Sequence, residues 1–307
     1  MNRREFLINV CVAGAVSGCR GGKRYLVSPV KVWGEEGMSD GQFLRPRAIG
    51  VYRGEVYVID TTGRVQVFGT DGGFKRQWTT PDASNGTPTS ISFSGDTVIV
   101  PDSHYSQILE YDFNGALKQR WGRFGFEPSN FIYPTDVERG ADGCYYITEY
   151  GEGANRIQVF DAERKLVRHW GREGVEQGEF SRPMSLALDA AGNLYVADMG
   201  NGRVQVFDNQ GTFLCKTNAA GEQYGSLKYP FNIARAPGDT FWVADYGLHA
   251  MVHYDAKGMC LGAFGGPGHE PGAFNGPRGV TVAEDGAVYV ADTFNHRIQV
   301  FRKEDLA

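Results

Sequence analysis

The chain has little cysteine, five residues in 307, and no Cys-x-x-Cys-His. That argues against a disulfide-stapled scaffold and excludes a c-type haem attachment site. Long apolar runs are missing too. The stretch from Phe6 to Val16 is shorter than the roughly 20 residues of a membrane-spanning helix. Positive charge is not in excess: the formal net charge is −5, which argues against a general nucleic-acid binder, since that needs a basic stripe. No H-E-x-x-H or P-loop pattern occurs, so the common zinc-protease and nucleotide-binding signatures are absent. What the chain has in quantity is glycine, 42 residues, which suits a fold with many tight turns.

The last full stretch, Gly276 to Phe301, shows how the chain is built. Pro277 opens a strand where a missing N–H costs least. Val280 and Val282 alternate with smaller or polar neighbours, the period of a pleated strand. Glu284-Asp285-Gly286 is a turn. Val288-Tyr289-Val290 is a β-branched and aromatic strand. A polar loop from Asp292 to His296 leads to a third strand ending at Phe301.

This unit occurs six times. Its prolines are Pro46, Pro88, Pro134, Pro183, Pro230 and Pro277, between 42 and 49 residues apart. The acids closing the second strand are Asp60, Asp102, Glu149, Asp198, Asp245 and Asp292. A fixed period in this range, with short strands and turns, predicts an all-β, six-bladed β-propeller of four-stranded antiparallel blades. A fourth strand, often ending Trp-Gly as at Trp121 and Trp170, follows each unit except the sixth. Val30 to Gly34 matches Leu166 to Gly171, so the N-terminal strand is expected to complete the last blade and close the ring. Closure removes an open sheet edge.

The repeats resemble the NHL-repeat family, spelled at Asn295-His296 and the following Arg297-Ile298-Gln299-Val300-Phe301. Residues 156–160 and 203–207 are close copies; residues 107–111 and 250–254 drift from the pattern. The resemblance spans roughly residues 30 to 301 and implies six blades, in agreement with the repeat count. RNA binding, as in animal members of that family, is disfavoured by the acidic charge.

The N-terminus reads as an address. Arg3 and Arg4 before an apolar segment resemble a twin-arginine export signal, and Val16-Ser17-Gly18-Cys19 resembles a lipobox. The expected division is a signal peptide over residues 1–18, a lipid anchor and tether over 19–29, and the propeller over 30–307. Cys19 is then the lipidated residue, holding the protein at the cell membrane or in the periplasm, as a monomer. The remaining Cys144, Cys215 and Cys260 are expected to be buried small hydrophobes, Cys144 within a second strand and the others in fourth strands.

In an antiparallel blade, the entry to the first strand and the loop after the second emerge on one face of the ring. Residues after the six prolines differ between units: Arg47, Thr89, Thr135-Asp136, Met184-Ser185, Phe231-Asn232 and Arg278. Arg47 and Arg278 fall in neighbouring blades and would suit a carboxylate or phosphate, with Asp136 and Asn232 as further polar candidates. The bland alternative is that each arginine pairs with an acid such as Asp136 or Glu149. His104, His249 and His296 lie in equivalent loops and would suit zinc. Resemblance to the lyase domain of the peptidyl-amidating enzymes, a related propeller with histidine-held zinc, gives that grouping its enzymatic reading. Histidine there is also ordinary repeat consensus. No cofactor is expected as a rule of the fold; zinc or calcium is the ion such a site would take. The repeated acid–arginine pairs, Asp292 with Arg297, Asp198 with Arg203 and Glu149 with Arg156, read as braces of their own blades. The leading expectation is a lipid-anchored binding or scaffold protein for a protein partner or a small anionic ligand. The alternative is a metal-dependent lyase or lactonase of the same architecture.

Overall fold

A computed structural model describes residues 26–217 and 225–306. The twin-arginine and lipidation readings at Arg3, Arg4 and Cys19 lie outside the described residues. Six four-stranded antiparallel sheets surround a central axis. Their innermost strands are Ala48–Tyr52, Ser92–Ser94, Tyr133–Arg139, Pro183–Leu188, Pro230–Ala236 and Gly279–Val282, and we number the blades 1 to 6 in that order. The repeat proline stands inside the first strand in blades 3 to 5 and just before it in the others.

The ring closes through the N-terminal strand. Lys31–Trp33 is the outer strand of blade 6, antiparallel to Arg297–Phe301 and in register at Lys31 with Val300 and Trp33 with Ile298. Closure has an energetic reason. The apolar core is divided into six clusters, each made by two adjacent blades; Val65, Val67, Val98 and Val100, for example, join blades 1 and 2. No sheet can bury its faces alone, so an open ring would leave one wedge in water. Trp33 seals the wedge between blades 6 and 1, its ring 6.2 Å from Phe68 and 6.3 Å from Tyr289.

The crossover between blades is set by the Trp-Gly pair and a buried phenylalanine. Gly171 has φ +99°, and a Cβ there would lie 2.7 Å from the Phe180 ring. Only glycine combines that conformation with that approach. Gly34, Gly122 and Gly265 repeat the device against Phe43, Phe131 and Phe274.

The acid–arginine braces are present as expected. Arg203 Nε donates to Asp198 at 2.8 Å, and its other nitrogens donate to the carbonyls of Val175, Glu176 and Glu179. The guanidinium therefore holds both its own blade and the incoming crossover. Arg64, Arg156 and Arg297 do the same for blades 1, 3 and 6. Blade 5 lacks the arginine, and there Asp245 accepts four backbone N–H bonds, from Lys228, Tyr229, Gly247 and Leu248.

Two details differ from expectation. Cys144 precedes the second strand of blade 3, which begins at Tyr145, because Asp142 caps the turn by accepting the Cys144 N–H. Cys144, Cys215 and Cys260 are half-buried thiols rather than fully enclosed ones.

Candidate functional site

The first strands are stitched together where they enter the ring. Thr89 Oγ1 donates to the Thr135 carbonyl, Thr135 Oγ1 to the Pro183 carbonyl, and Thr293 Oγ1 to the Pro46 carbonyl. These short polar side chains draw neighbouring blades together at the axis. The residues beside them form the mouth on that face.

Arg47 and Arg278 follow the repeat prolines of the neighbouring blades 1 and 6, and the charge of Arg278 is felt at Arg47. Both are half-buried. Arg47 donates to Thr87 Oγ1 at 3.0 Å, while the Nε atoms of both arginines are buried without a hydrogen-bond partner. Among the described residues neither makes an ion pair, so the acids Asp136 and Glu149 do not neutralise them. Burial, and then the charge of Arg278, pulls the Arg47 pKa down to about 10. Burial likewise lowers that of Arg278. Both stay protonated at neutral pH, and the depression measures how poorly their charge is compensated.

Aromatic faces stand in for the missing acids. The Arg278 guanidinium lies 5.2 Å from the ring centres of both Phe231 and Tyr246, and 5.5 Å from Phe294. Arg45 sits 5.6 Å from Phe294, and Arg182 4.8 Å from Tyr150. Cation–π contact offsets part of the desolvation but leaves the net positive charge in place. The mouth is thus a cationic patch walled by aromatic rings.

His104 belongs to this mouth. Its ring packs against Tyr133 at 5.8 Å, and burial, with the Arg47 charge second, lowers its pKa. The imidazole is neutral at pH 7. His249 and His296 do something else. His249 Nδ1 accepts the Gly276 N–H at 3.0 Å, and His296 Nδ1 lies 3.1 Å from the Phe43 carbonyl oxygen and 3.3 Å from the Arg45 nitrogen, donating to the first or accepting from the second according to its tautomer. Gly276 and Arg45 each precede the repeat proline of the next blade and have φ +58° and +56°. These two histidines are latches that fix one blade to the next, and Asn155 does the same for Arg182. Among the described residues no three His, Cys, Asp or Glu side chains are gathered to hold a metal.

Asp136 and Asn232 lie one level deeper, in a polar belt around the axis. Ser185 Oγ donates to Asp136 at 2.6 Å and accepts from Asn232 Nδ2 at 2.9 Å; Asn232 Oδ1 accepts the Val280 N–H at 2.8 Å. The belt links blades 3, 4, 5 and 6. Beneath it, on the opposite side from the arginines, lies a cavity of about 420 Å3 lined by the inner strands of all six blades. This cavity is therefore separate from the cationic mouth. Tyr150, Tyr246 and Phe294 escaped the sequence reading; each falls one or two positions after the repeat acid, where the six units diverge. Glu138 escaped as well, although it lies two residues beyond Asp136 on the same strand face.

Together, fold and mouth define a six-bladed β-propeller whose axial face carries a cationic, aromatic-walled depression. Residues 180–207 and 274–301 match the model of the NHL repeat, so the chain is an NHL-repeat β-propeller. No curated protein matches it in sequence. Its shape resembles several solved structures. Streptogramin B lyase is 12% identical, covering 91% of this chain and 99% of the other with a TM-score of 0.63. A catalytically inactive virginiamycin B lyase from Staphylococcus aureus, solved with quinupristin, is 18% identical over 89% and 88% of the two chains, TM-score 0.61. A protein of unknown function from Bacteroides thetaiotaomicron is 14% identical over 90% and 75%, TM-score 0.69. At these identities the likeness is one of fold.

Proposed function

We propose that this protein is an exported, lipid-anchored binding propeller whose axial mouth takes a carboxylate or phosphate group, carried by a small ligand or by an acidic segment of a protein partner. The observation that carries this reading is the pair Arg47 and Arg278, on neighbouring blades, half-buried, with unpartnered Nε atoms and without an acid partner among the described residues. Arginine presents a planar fork that matches carboxylate and phosphate oxygens. The Arg278 charge disfavours that of Arg47, and an anion bound by both forks would offset the repulsion. The rings of Phe231, Tyr246 and Phe294 hold Arg278 in place beforehand, which limits the ordering cost of binding.

The test is the thermal unfolding of the full chain with inorganic phosphate and with citrate, at constant ionic strength. The wild type is expected to unfold at higher temperature with at least one of them, and Arg47→Ala/Arg278→Ala to show no such shift. Equal shifts in both proteins would sink the site.

A second reading is an enzyme of this architecture, lyase-like or lactonase-like. What favours it is His104, a neutral imidazole beside Arg47 at the mouth, placed to act as a base on a group the arginines hold. Turnover of an anionic substrate that survives in His104→Ala would remove this reading.

A further inference from the structure

The cavity below the polar belt has a composition unlike the mouth above it. Four positions beyond each repeat proline, the first strands place one residue per blade at a common level. Each of these pairs across its own blade with the corresponding second-strand position: Gly50 with Tyr57, Ser92 with Ile99, Glu138 with Tyr146, Ala187 with Tyr195, Ala234 with Trp242 and Thr281 with Tyr289. Five of these six residues are no larger than threonine, and all six line the cavity. Glu138 is the single charge in the ring.

Glu138 has no hydrogen-bond or ion-pair partner among the described residues, and the other charges around the cavity are already engaged. Asp136 accepts from Ser185 Oγ, the Leu186 N–H and the Val137 N–H. Asp189 accepts from the Ala191 and Asn193 N–H groups and from Tyr195. Arg235 pairs with Asp239 at 2.9 Å, and Arg139 donates to the Gly143 carbonyl while lying 4.9 Å from the Tyr145 ring. A carboxylate left without a partner in a half-open cavity between packed strands is costly unless a cation joins it. Burial, with the neighbouring Asp136 charge second, raises its pKa well above the ordinary glutamate range. The group is thereby held towards its protonated form.

The walls indicate what kind of cation fits. Ile49, Val51, Ile91, Leu188 and Val280 are apolar, and although Asp136, Glu138 and Asp189 all line the cavity, among the described residues no three His, Cys, Asp or Glu side chains are gathered to hold a metal. A divalent ion needs roughly six or more converging oxygen ligands, and Asp136 and Asp189 are already turned to the hydrogen bonds given above. We propose that this cavity is a second ligand site, separate from the arginine mouth, which takes a small organic ammonium ion through Glu138 and buries its alkyl part against the apolar walls. A volume of about 420 Å3 falls in the range of small-ligand pockets.

The experiment uses n-butylammonium as probe on the full chain, with thermal unfolding and calorimetric titration at pH 8, and sodium and magnesium as controls. Millimolar n-butylammonium is expected to raise the unfolding temperature of the wild type and to bind with a stoichiometry of one. Binding should weaken at least tenfold in Glu138→Gln, which keeps the shape of the side chain. It should also be lost in Ala187→Leu, which fills the cavity and keeps the carboxylate. Arg47→Ala/Arg278→Ala should bind the amine like wild type, so the outcome is independent of the anion site. Absence of binding in the wild type, unchanged binding in Glu138→Gln, or stabilisation by magnesium and not by the amine would each overturn the proposal.

Discussion

Replacing Arg203 by methionine tests the brace that repeats around the ring. The guanidinium is nearly buried, with 11% of its side-chain surface exposed, against 0% for Asp198. It makes one charged bond of 2.8 Å to that acid and three bonds of 2.6 to 2.9 Å to carbonyls of the crossover. Removing it strands an ionised Asp198 that keeps only the Ser181 N–H, Asn201 and Gln205 as donors. Breaking a buried pair on one side costs about 3–5 kcal/mol. The crossover carbonyls lie near the surface and regain water, which argues for the lower end, about 3 kcal/mol. For a chain of this size that lowers the midpoint of thermal unfolding by roughly 6 °C. The loss has a pH signature. Burial already raises the Asp198 pKa, and without the arginine it rises further. A raised carboxyl pKa means that the folded state gains on protonation, so the deficit should be full at pH 7 and shrink as pH falls towards the unfolded carboxylate value. Asp198→Asn/Arg203→Met should recover part of the deficit, because no charge is then buried alone. Blade 5 shows that the loop closes without an arginine when Asp245 takes four N–H donors. The assay is denaturant and thermal unfolding of the single and double variants from pH 4.5 to 8. A single variant within about 1 kcal/mol of wild type, or a double variant less stable than the single at pH 7, would refute the reasoning.

Three further outcomes follow from the same physics. Asp102 is fully buried, its Oδ1 has no partner, and burial raises its pKa from 3.8 to about 6. Its ionised form is thus a penalty that is absent below the unfolded value, grows as pH rises towards 6 and is full above it; Asp102→Asn should stabilise the protein at pH 8 by up to about 3 kcal/mol and not at pH 4, as pH-dependent denaturation will show. Trp33→Ala should cost about 3 kcal/mol and loosen the junction of blades 6 and 1, read as faster hydrogen exchange in Arg297–Phe301 than in the equivalent strands. His296→Ala removes the ring nitrogen that meets the Phe43 carbonyl and the Arg45 N–H and should lower stability by about 1 kcal/mol; His296→Asn, whose amide offers both a donor and an acceptor as at Asn155, should restore most of it in the same unfolding assay.

Much of the architecture was legible because a blade is a local object. Its strands, turns and caps recur every 42 to 49 residues, so each repeat supports the reading of the others. The match of Val30–Gly34 to Leu166–Gly171 even disclosed the closing strand, since a missing fourth strand at one end and an extra one at the other admit one arrangement. The braces were legible for the same reason: acid and arginine stand a few residues apart on adjoining strands. The two axial arginines were legible as departures from the repeat.

What tertiary structure alone decided lies between blades. Whether a histidine in the loop after the second strand reaches the axis or the neighbouring blade depends on how closely the sheets pack, and a residue's place in its own repeat does not encode that distance. His249 and His296 therefore turned out to hold backbone groups, while His104, two positions earlier in its loop, reached the mouth beside Arg47. Glu138 is the clearest case. In the chain it is one acid among 36 acidic residues. Its solitude arises only when six first strands close around an axis and set Gly50, Ser92, Ala187, Ala234 and Thr281 around it, none of them able to share its charge.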